Sequence, residues 1–325
     1  MSTHNAISIS GGKDSTALAL LAVEREIENL QFVFADTGHE HPETLEYVAY
    51  LSGELERRCG VGVRTVRADF SDRIATRRAN LPALWESKGI PQEQIDKALE
   101  ALRPTGNPFL DLCLLKGRFP STRARFCTQE LKVGPIEKQV MQPLLSTGVK
   151  AVVSWQGVRR EESASRANLP AHDVEFGQWE PDPRGLLIYR PILDWTAADV
   201  FAFHEKHGVK PNPLYTQGMG RVGCMPCIMA SKGELREIAS RWPEEIARVR
   251  EWERLVQQAS KRGLSSFFAA DKTPEGRANK DATDADIFGI EAVVEWSKTG
   301  RGGRQLDLLA TDEPAQCSSI YGLCE

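Results

Sequence analysis

Apolar residues fall along this chain in two rhythms. Short runs rich in β-branched and aromatic side chains occur at Ile7–Ile9, Gln31–Ala35, Val61–Val66, Ala151–Trp155 and Leu187–Ile192, each bounded by polar or glycine-containing turns. Such runs read as buried strands. Between them the period lengthens. Leu45, Val48, Leu51 and Leu55 recur at helical spacing from about Glu43 to Arg58, and a second helix follows Lys132-Val133-Gly134-Pro135 to about Leu145. Strands alternating with helices predict an α/β fold with a doubly wound parallel sheet. Thr196 and Asp199 stand in the spacing of a capping box, which starts another helix after Trp195, itself expected in the core.

Three stretches break the rhythm. Residues 70–125 are largely polar, with one helix near Gln92–Leu102, and read as an insertion or lid. Residues 167–186 carry prolines and polar groups and read as a loop. Beyond residue 210 comes a glycine- and proline-rich stretch, then a charged helix or helix pair from Glu234 to Lys261 broken near Pro243, and a short helix at Ile287–Trp296. The expected organisation is an α/β domain over 1–210 and a smaller helical part over 211–325.

Composition narrows the class. The 325 residues are 41% hydrophobic and 26% charged, with net charge −4 and pI near 6.0. That balance argues against a wholly basic nucleic-acid-coating surface and leaves room for a local basic groove. No apolar run has the length of a membrane span, and no basic region leads into an apolar leader, so a cytoplasmic location is expected. Seven cysteines in such a chain point to metal, cluster or redox work rather than to structural disulfides.

The densest chemistry follows the first strand, in Ser10-Gly11-Gly12-Lys13-Asp14-Ser15-Thr16. Glycines let a backbone bend tightly and bring its N–H groups to an anion, and the helix beyond offers the positive end of its dipole. Lys13 can reach a phosphate, and Ser10, Ser15 and Thr16 can donate to its oxygens. The Walker A pattern needs four residues between its first glycine and Gly-Lys, so this is a different phosphate loop. Polar groups also close the neighbouring strands: Asp36-Thr37-Gly38-His39-Glu40-His41 after the second, and Gln156-Gly157-Val158-Arg159-Arg160 leading to Arg166 after the fourth. Strand ends of an open α/β sheet are where ligands bind. Guanidinium forks there suit a polyphosphate. His39 and His41 read either as a solvated turn or as a metal pair.

Cys224-Met225-Pro226-Cys227 places two thiols at the spacing of one metal or cluster edge. The segment Lys116 to Arg125 carries Lys116, Arg118, Arg123 and Arg125 with Phe119 inside it, next to Phe126 and Cys127. It reads either as a strand-tracking nucleic-acid contact or as nucleotide contact and plain solvation. Cys113 lies in an apolar run and reads as a buried, inert thiol. Cys59 carries no further pattern.

Ser-Gly-Gly-Lys-Asp-Ser resembles the loop of the PP-loop ATP pyrophosphatases. Asp-Thr-Gly…Pro-Glu-Thr is similar to a segment of sulfonucleotide reductases and of the ATP sulfurylase catalytic subunit. Gly157-x-Arg159-x-x-Glu162-Ser163-x-x-Arg166, Pro191-Ile192-x-Asp194-Trp195-Thr196 and Arg125-Phe126-Cys127…Lys132…Pro135 resemble segments of the same branch, the last also found in the DNA phosphorothioation ATP pyrophosphatases. The resemblance spans about residues 5–228. It implies an adenine-nucleotide α-hydrolase-like fold and cleavage of ATP, with Mg2+, between the α and β phosphates. It implies adenylation of an acceptor for sulfur insertion, the acceptor in the phosphorothioation family being a nucleic-acid backbone phosphate, with a sulfur-donor partner such as a cysteine desulfurase. Lys13, Asp14, Arg159 and Arg160 then take catalytic places. Ser10, Gly11, Gly12, Ser15, Thr16, Asp36, Thr37, Gly38, Gly157 and Arg166 hold the nucleotide. Cys127, Cys224 and Cys227 become ligands of a 4Fe-4S cluster, with zinc as the alternative. Where the cluster-bearing reductases have two adjacent cysteines, this chain has Phe126 before Cys127, so the fourth ligand is open among Cys113, Cys317 and Cys324; Cys317 is the preferred one. The competing functions are a phosphosulfate reductase, an ATP sulfurylase subunit, and an ATP-binding, non-catalytic subunit of a defence system. Reductases of this branch lack Gly-Gly-Lys-Asp, so Lys13 separates the first two readings.

Overall fold

The computed structural model describes residues 2–174, 185–279, 285–300, 319, 321 and 323. Its centre is a six-stranded sheet of β1 (Thr3–Ile9), β2 (Leu30–Asp36), β3 (Val63–Arg67), β4 (Ala151–Trp155), β5 (His172–Val174) and β6 (Leu186–Tyr189), in the order β3-β2-β1-β4-β6-β5. All neighbours are parallel except the edge pair β5–β6. The α/β, doubly wound expectation holds. β5 falls in the stretch expected as a loop. It is three residues long and polar at its start, too short for a period of two to show.

Alternation along the strands sends side chains to two faces. Ile7, Ile9, Phe32 and Phe34 pack under α1 (Lys13–Glu24) and α2 (Pro42–Cys59), against Leu18, Leu20, Tyr47, Leu51 and Leu55. Ala6, Val33, Ala35, Val66 and Val152 face the other way, toward Ile136, Val140 and Met141. Each of the valine, leucine, isoleucine, phenylalanine and methionine side chains among these contributes about 1.5–3 kcal/mol on burial.

A third core lies outside the sheet. Helices α3 (Ser71–Glu86), α4 (Gln92–Ala101) and α5 (Pro108–Lys116) supply Ile74, Leu81, Trp85, Ile95, Leu102 and Phe109 to it. The 70–125 segment therefore packs as the inner wall of a helical layer, where a polar insertion or lid was expected. The helix carrying Ile136 and Met141, α6, runs over 126–146 with widened turns at Gln129–Val133 and Glu137–Met141 on either side of Pro135. A proline crowds the carbonyl four residues back, and wider turns relieve that. Longer helices follow: α7 (Ala197–Lys206), begun by the expected Thr196–Asp199 capping box, then α8 (Lys232–Arg241) and α9 (Pro243–Gln258), which part at Pro243. The last helix among the described residues, α10, covers Ile290–Ser297. Helices α8 to α10 close the third core with Leu235, Ile238, Val249, Trp252, Val256 and Val293. Trp195 is half-buried, edge-on to Phe203 at 4.9 Å.

Candidate functional site

Chain direction across the sheet reverses between β1 and β4, and the loops after these two strands meet there. This switch point is where open α/β sheets bind ligands. In the first loop Gly11 has φ +73°, and a Cβ on it would lie 2.8 Å from Thr44 Cγ2, so only glycine fits. Ser15 Oγ accepts from Ser10 N at 3.1 Å and donates to Gly12 O at 2.9 Å; Thr16 Oγ1 donates to the same carbonyl at 3.2 Å. These hydroxyls brace the turn itself. Lys13 is only 5% exposed, its Nζ 3.2 Å from Asp14 Oδ2 and over the rings of Tyr215 (5.5 Å) and Tyr321 (5.0 Å).

The loop is held from the far side by residues no motif had marked. Asn212 Nδ2 donates to Gly11 O at 3.1 Å, Lys13 N donates to Tyr215 Oη at 2.9 Å, and His204 Nε2 bonds Lys13 O at 2.8 Å. Burial pushes the His204 pKa down, so the ring is neutral and donates from Nε2. Their only sequence signal is polarity beside an apolar run, which many surface residues share.

After β4, Gly157 lets the backbone pass α1: a Cβ there would sit 3.2 Å from the Asp14 carbonyl carbon. Arg159, 2% exposed, donates from Nε to Asp14 Oδ1 at 2.5 Å and also pairs with Glu161. So Lys13, Asp14 and Arg159 form one charged chain. Arg160 instead pairs with Asp194 at 2.6 Å, and Arg166 with Glu162.

The loop after β2 turns toward the cysteines. Asp36 Oδ1 accepts from Gly38 N at 2.8 Å, and Gly38 takes φ +73°. Thr37 N and Oγ1 both donate to the buried Glu40 carboxylate. His39 is neither a solvated turn residue nor half of a metal pair. It is 1% exposed, its Nε2 bonds Pro226 O at 2.8 Å, and its backbone O accepts from Met225 N at 2.8 Å. Burial, then the Arg248 charge, hold its pKa down at about 3, so it stays neutral. His41 caps α2 by accepting from Glu43 N. The Cys-x-x-Cys loop is thus laced to the carboxyl end of a central strand.

Cys224 Sγ lies 3.7 Å from both Thr37 Oγ1 and Glu40 Oε1. Lys132, from α6, stands 4.0 Å from Glu40 Oε1, and Cys224, with help from Glu40, Cys227 and Cys127, pushes the Lys132 pKa up to about 12. Burial raises the Cys127 thiol pKa, with Cys227 adding to it, and burial carries Cys224 up to about 12. Three thiols from two segments therefore face one lysine. Among the described residues no group of three or more His, Cys, Asp or Glu side chains is placed to hold a metal ion as it stands. The donor set itself, three soft sulfurs beside a cation that offsets thiolate charge, is of the kind that iron–sulfur clusters and zinc take. Cys113 is fully buried beside Cys127, and burial drives its pKa well up. Cys317 and Cys324 lie outside the described residues.

The phosphoadenosine phosphosulfate reductase domain model matches residues 4–230. An uncharacterised 37.8 kDa protein of Escherichia phage 186 is 51% identical over 340 aligned positions, spanning 100% of this chain and 97% of that protein. An adenosine 5'-phosphosulfate reductase of Burkholderia cepacia is 37% identical over 99 residues, covering 30% of this chain and 37% of the enzyme. A phosphoadenosine 5'-phosphosulfate reductase of Salmonella heidelberg is 27% identical over 207 residues, 64% of each chain. Among solved structures, a phosphoadenylyl-sulfate reductase of Candida auris aligns over 68% of this chain and 81% of that one, with TM-score 0.38 and 16% identity. A tRNA thiolase of Methanococcus maripaludis with its 4Fe-4S cluster aligns over 78% and 72%, with TM-score 0.34 and 15% identity.

Proposed function

The chain belongs to the phosphoadenosine phosphosulfate reductase domain family, and on that premise we propose that it is an ATP pyrophosphatase that adenylates an acceptor oxygen so that sulfur can replace it. The observation that carries this reading is the buried Lys13 in the Ser-Gly-Gly-Lys-Asp-Ser loop, coupled through Asp14 to Arg159 at the sheet's switch point. An oxygen of the acceptor attacks the α phosphorus, the α–β bond breaks, and pyrophosphate leaves with the bonding pair. Lys13 and the α1 N-terminus stabilise charge on the transferred phosphate, and Arg159, released from Asp14, grips the departing pyrophosphate. Asp14 and Asp36 are the carboxylates that would hold a Mg2+ ion, which would offset charge on the phosphates. In the second half, a sulfide-level sulfur attacks the acceptor atom that bears the adenylated oxygen, the bond from that atom to the oxygen breaks, and AMP leaves carrying the oxygen and the bonding pair.

Cys127, Cys224 and Cys227, with a fourth ligand for which Cys317 is the preferred residue, would hold a 4Fe-4S cluster, supplying electrons or sulfur beside the nucleotide. Tyr215 bonds the Lys13 amide, and Cys224 follows nine residues later in the same segment, so nucleotide loop and thiols share one support. The acceptor we favour is a nucleic-acid backbone phosphate tracked by Lys116–Arg125, with a cysteine desulfurase as sulfur donor. A second reading, reduction of a phosphosulfate by these thiols, is favoured by the reductases named among the relatives.

One assay separates them. Protein purified without oxygen releases pyrophosphate from ATP, and Lys13→Ala lowers the rate by about 10²–10³-fold, the usual cost of losing one charge-stabilising donor. Thiol oxidation driven by a phosphosulfate, with no ATP turnover, would sink the first reading.

A further inference from the structure

Between α3 and α5 lies a cavity of about 560 Å³ that shares no residue with the nucleotide loop, the strand ends or the Cys-x-x-Cys pair. Its floor is apolar, made by the buried Leu81, Trp85 and Leu115, and Leu84, 48% exposed, stands at its mouth. Three cations line the wall. Arg73 and Lys116 both pair with the single carboxylate of Glu130. Arg77 is different: its Nε is buried with no hydrogen-bond partner, and among the described residues no carboxylate pairs with it. Burial alone pushes its pKa down. Asp72 adds one carboxylate to the lining and does not pair with Arg77. A half-buried guanidinium without a counter-charge is costly, and the cost is removed by an anion in the cavity.

We propose that this groove is a second ligand site, which binds a phosphate group carried on a flat apolar body of nucleotide size. The volume is in the range of small-ligand sites. Arg77 offers a fork for phosphate oxygens, and Arg73 and Lys116 already converge on one acceptor, so a dianion with three oxygens matches all three. A nucleobase fits the apolar floor. Next to Lys116 in space stands the exposed Arg118, both over the ring of Phe126, and the exposed Arg123 and Arg125 follow in sequence, positive charge that a lone carboxylate would leave unused. Glu130, which the ligand would displace from its two cations, sits on the α6 stretch that also bears Cys127 and Lys132, so the site abuts the cysteine segment. The inference stands whether or not ATP is cleaved.

The test titrates AMP, inorganic phosphate and a labelled single-stranded oligonucleotide into the full chain, in a Lys13→Ala background that weakens the first loop. AMP or the oligonucleotide binds more tightly than inorganic phosphate, and adding Arg77→Ala weakens that binding about tenfold or more, the size expected for a charged hydrogen bond. Asn80→Glu, an exposed change at the cavity wall, does the same, with circular dichroism verifying the fold of both variants. Tighter binding of the oligonucleotide assigns the phosphate to a strand, and tighter binding of AMP assigns it to a free nucleotide. Affinities unchanged by both Arg77→Ala and Asn80→Glu overturn the proposal, as does inorganic phosphate binding as well as either nucleotide probe.

Discussion

Tyr215 shows how a single side chain ties the nucleotide loop to the cysteine-bearing half. Its hydroxyl is the acceptor for Lys13 N, and burial pushes its pKa up, so it stays a neutral phenol at any working pH. Tyr215→Phe leaves the ring and removes the acceptor. The orphaned amide costs about 1–3 kcal/mol, which chemical denaturation will read as a lower midpoint, and ATP binding weakens with it because the same turn presents Lys13. At this scale the sequence marks residues whose chemistry is unusual in itself: glycines, a lysine between them and a helix, paired thiols. It does not mark Tyr215, Asn212 or His204, because an ordinary polar residue becomes functional only through what the fold places opposite it.

Among the elements, the junction of α9 with α10 carries its own pH sensitivity. Glu253 on α9 accepts from Phe267 N at 2.7 Å and Ile290 N at 2.9 Å, fixing a loop and the first turn of α10. Burial, opposed by these two bonds, raises its pKa to about 7. A raised carboxyl pKa means that between about pH 4.5 and 7 the folded chain keeps a proton the unfolded chain has released. Stability therefore falls as pH rises through that window, by at most about 1.4 kcal/mol per unit. In Glu253→Gln this slope flattens; urea midpoints at pH 5 and pH 7 will compare the two chains. The helices themselves are partly legible. The Thr196 capping box and the break at Pro243 stand in the sequence because caps and prolines act locally. The widened turns of α6 and the edge strand β5 do not, since the first depends on how a proline is relieved in three dimensions and the second on a neighbour that pairs with it.

For the molecule as a whole, the third core joins residues far apart in sequence. The family match ends at residue 230, yet Leu235, Ile238, Trp242, Val249, Trp252 and Val256 from beyond it pack with Phe109, Phe119 and Leu115 from before it. Six such side chains represent about 9–18 kcal/mol of burial at roughly 1.5–3 kcal/mol each, comparable to the whole stability of a domain. A chain ended at residue 230 accordingly aggregates or binds a hydrophobic dye, while the full chain does neither; size-exclusion chromatography distinguishes them. The same packing explains why residues 70–125 look polar when read alone. Their apolar positions are spread over three short helices, and it takes partners from α6 and from the segments far downstream to gather them to one side.

The five parallel strands and the glycine–lysine loop after β1 were legible in the sequence alone, because strand alternation, tight glycine turns and a lysine at a helix start depend on neighbours a few residues away. Cys224 and Cys227 were equally plain, since two thiols on one short loop need no fold to be close. What the tertiary structure decided was every relation across the chain: that Arg159 rather than Arg160 or Arg166 reaches Asp14, that Lys132 rather than a histidine stands among the thiols, and that among the described residues no carboxylate pairs with Arg77. Charge pairing and burial are set by distance in space, and that distance is a property of the packed cores, not of any segment.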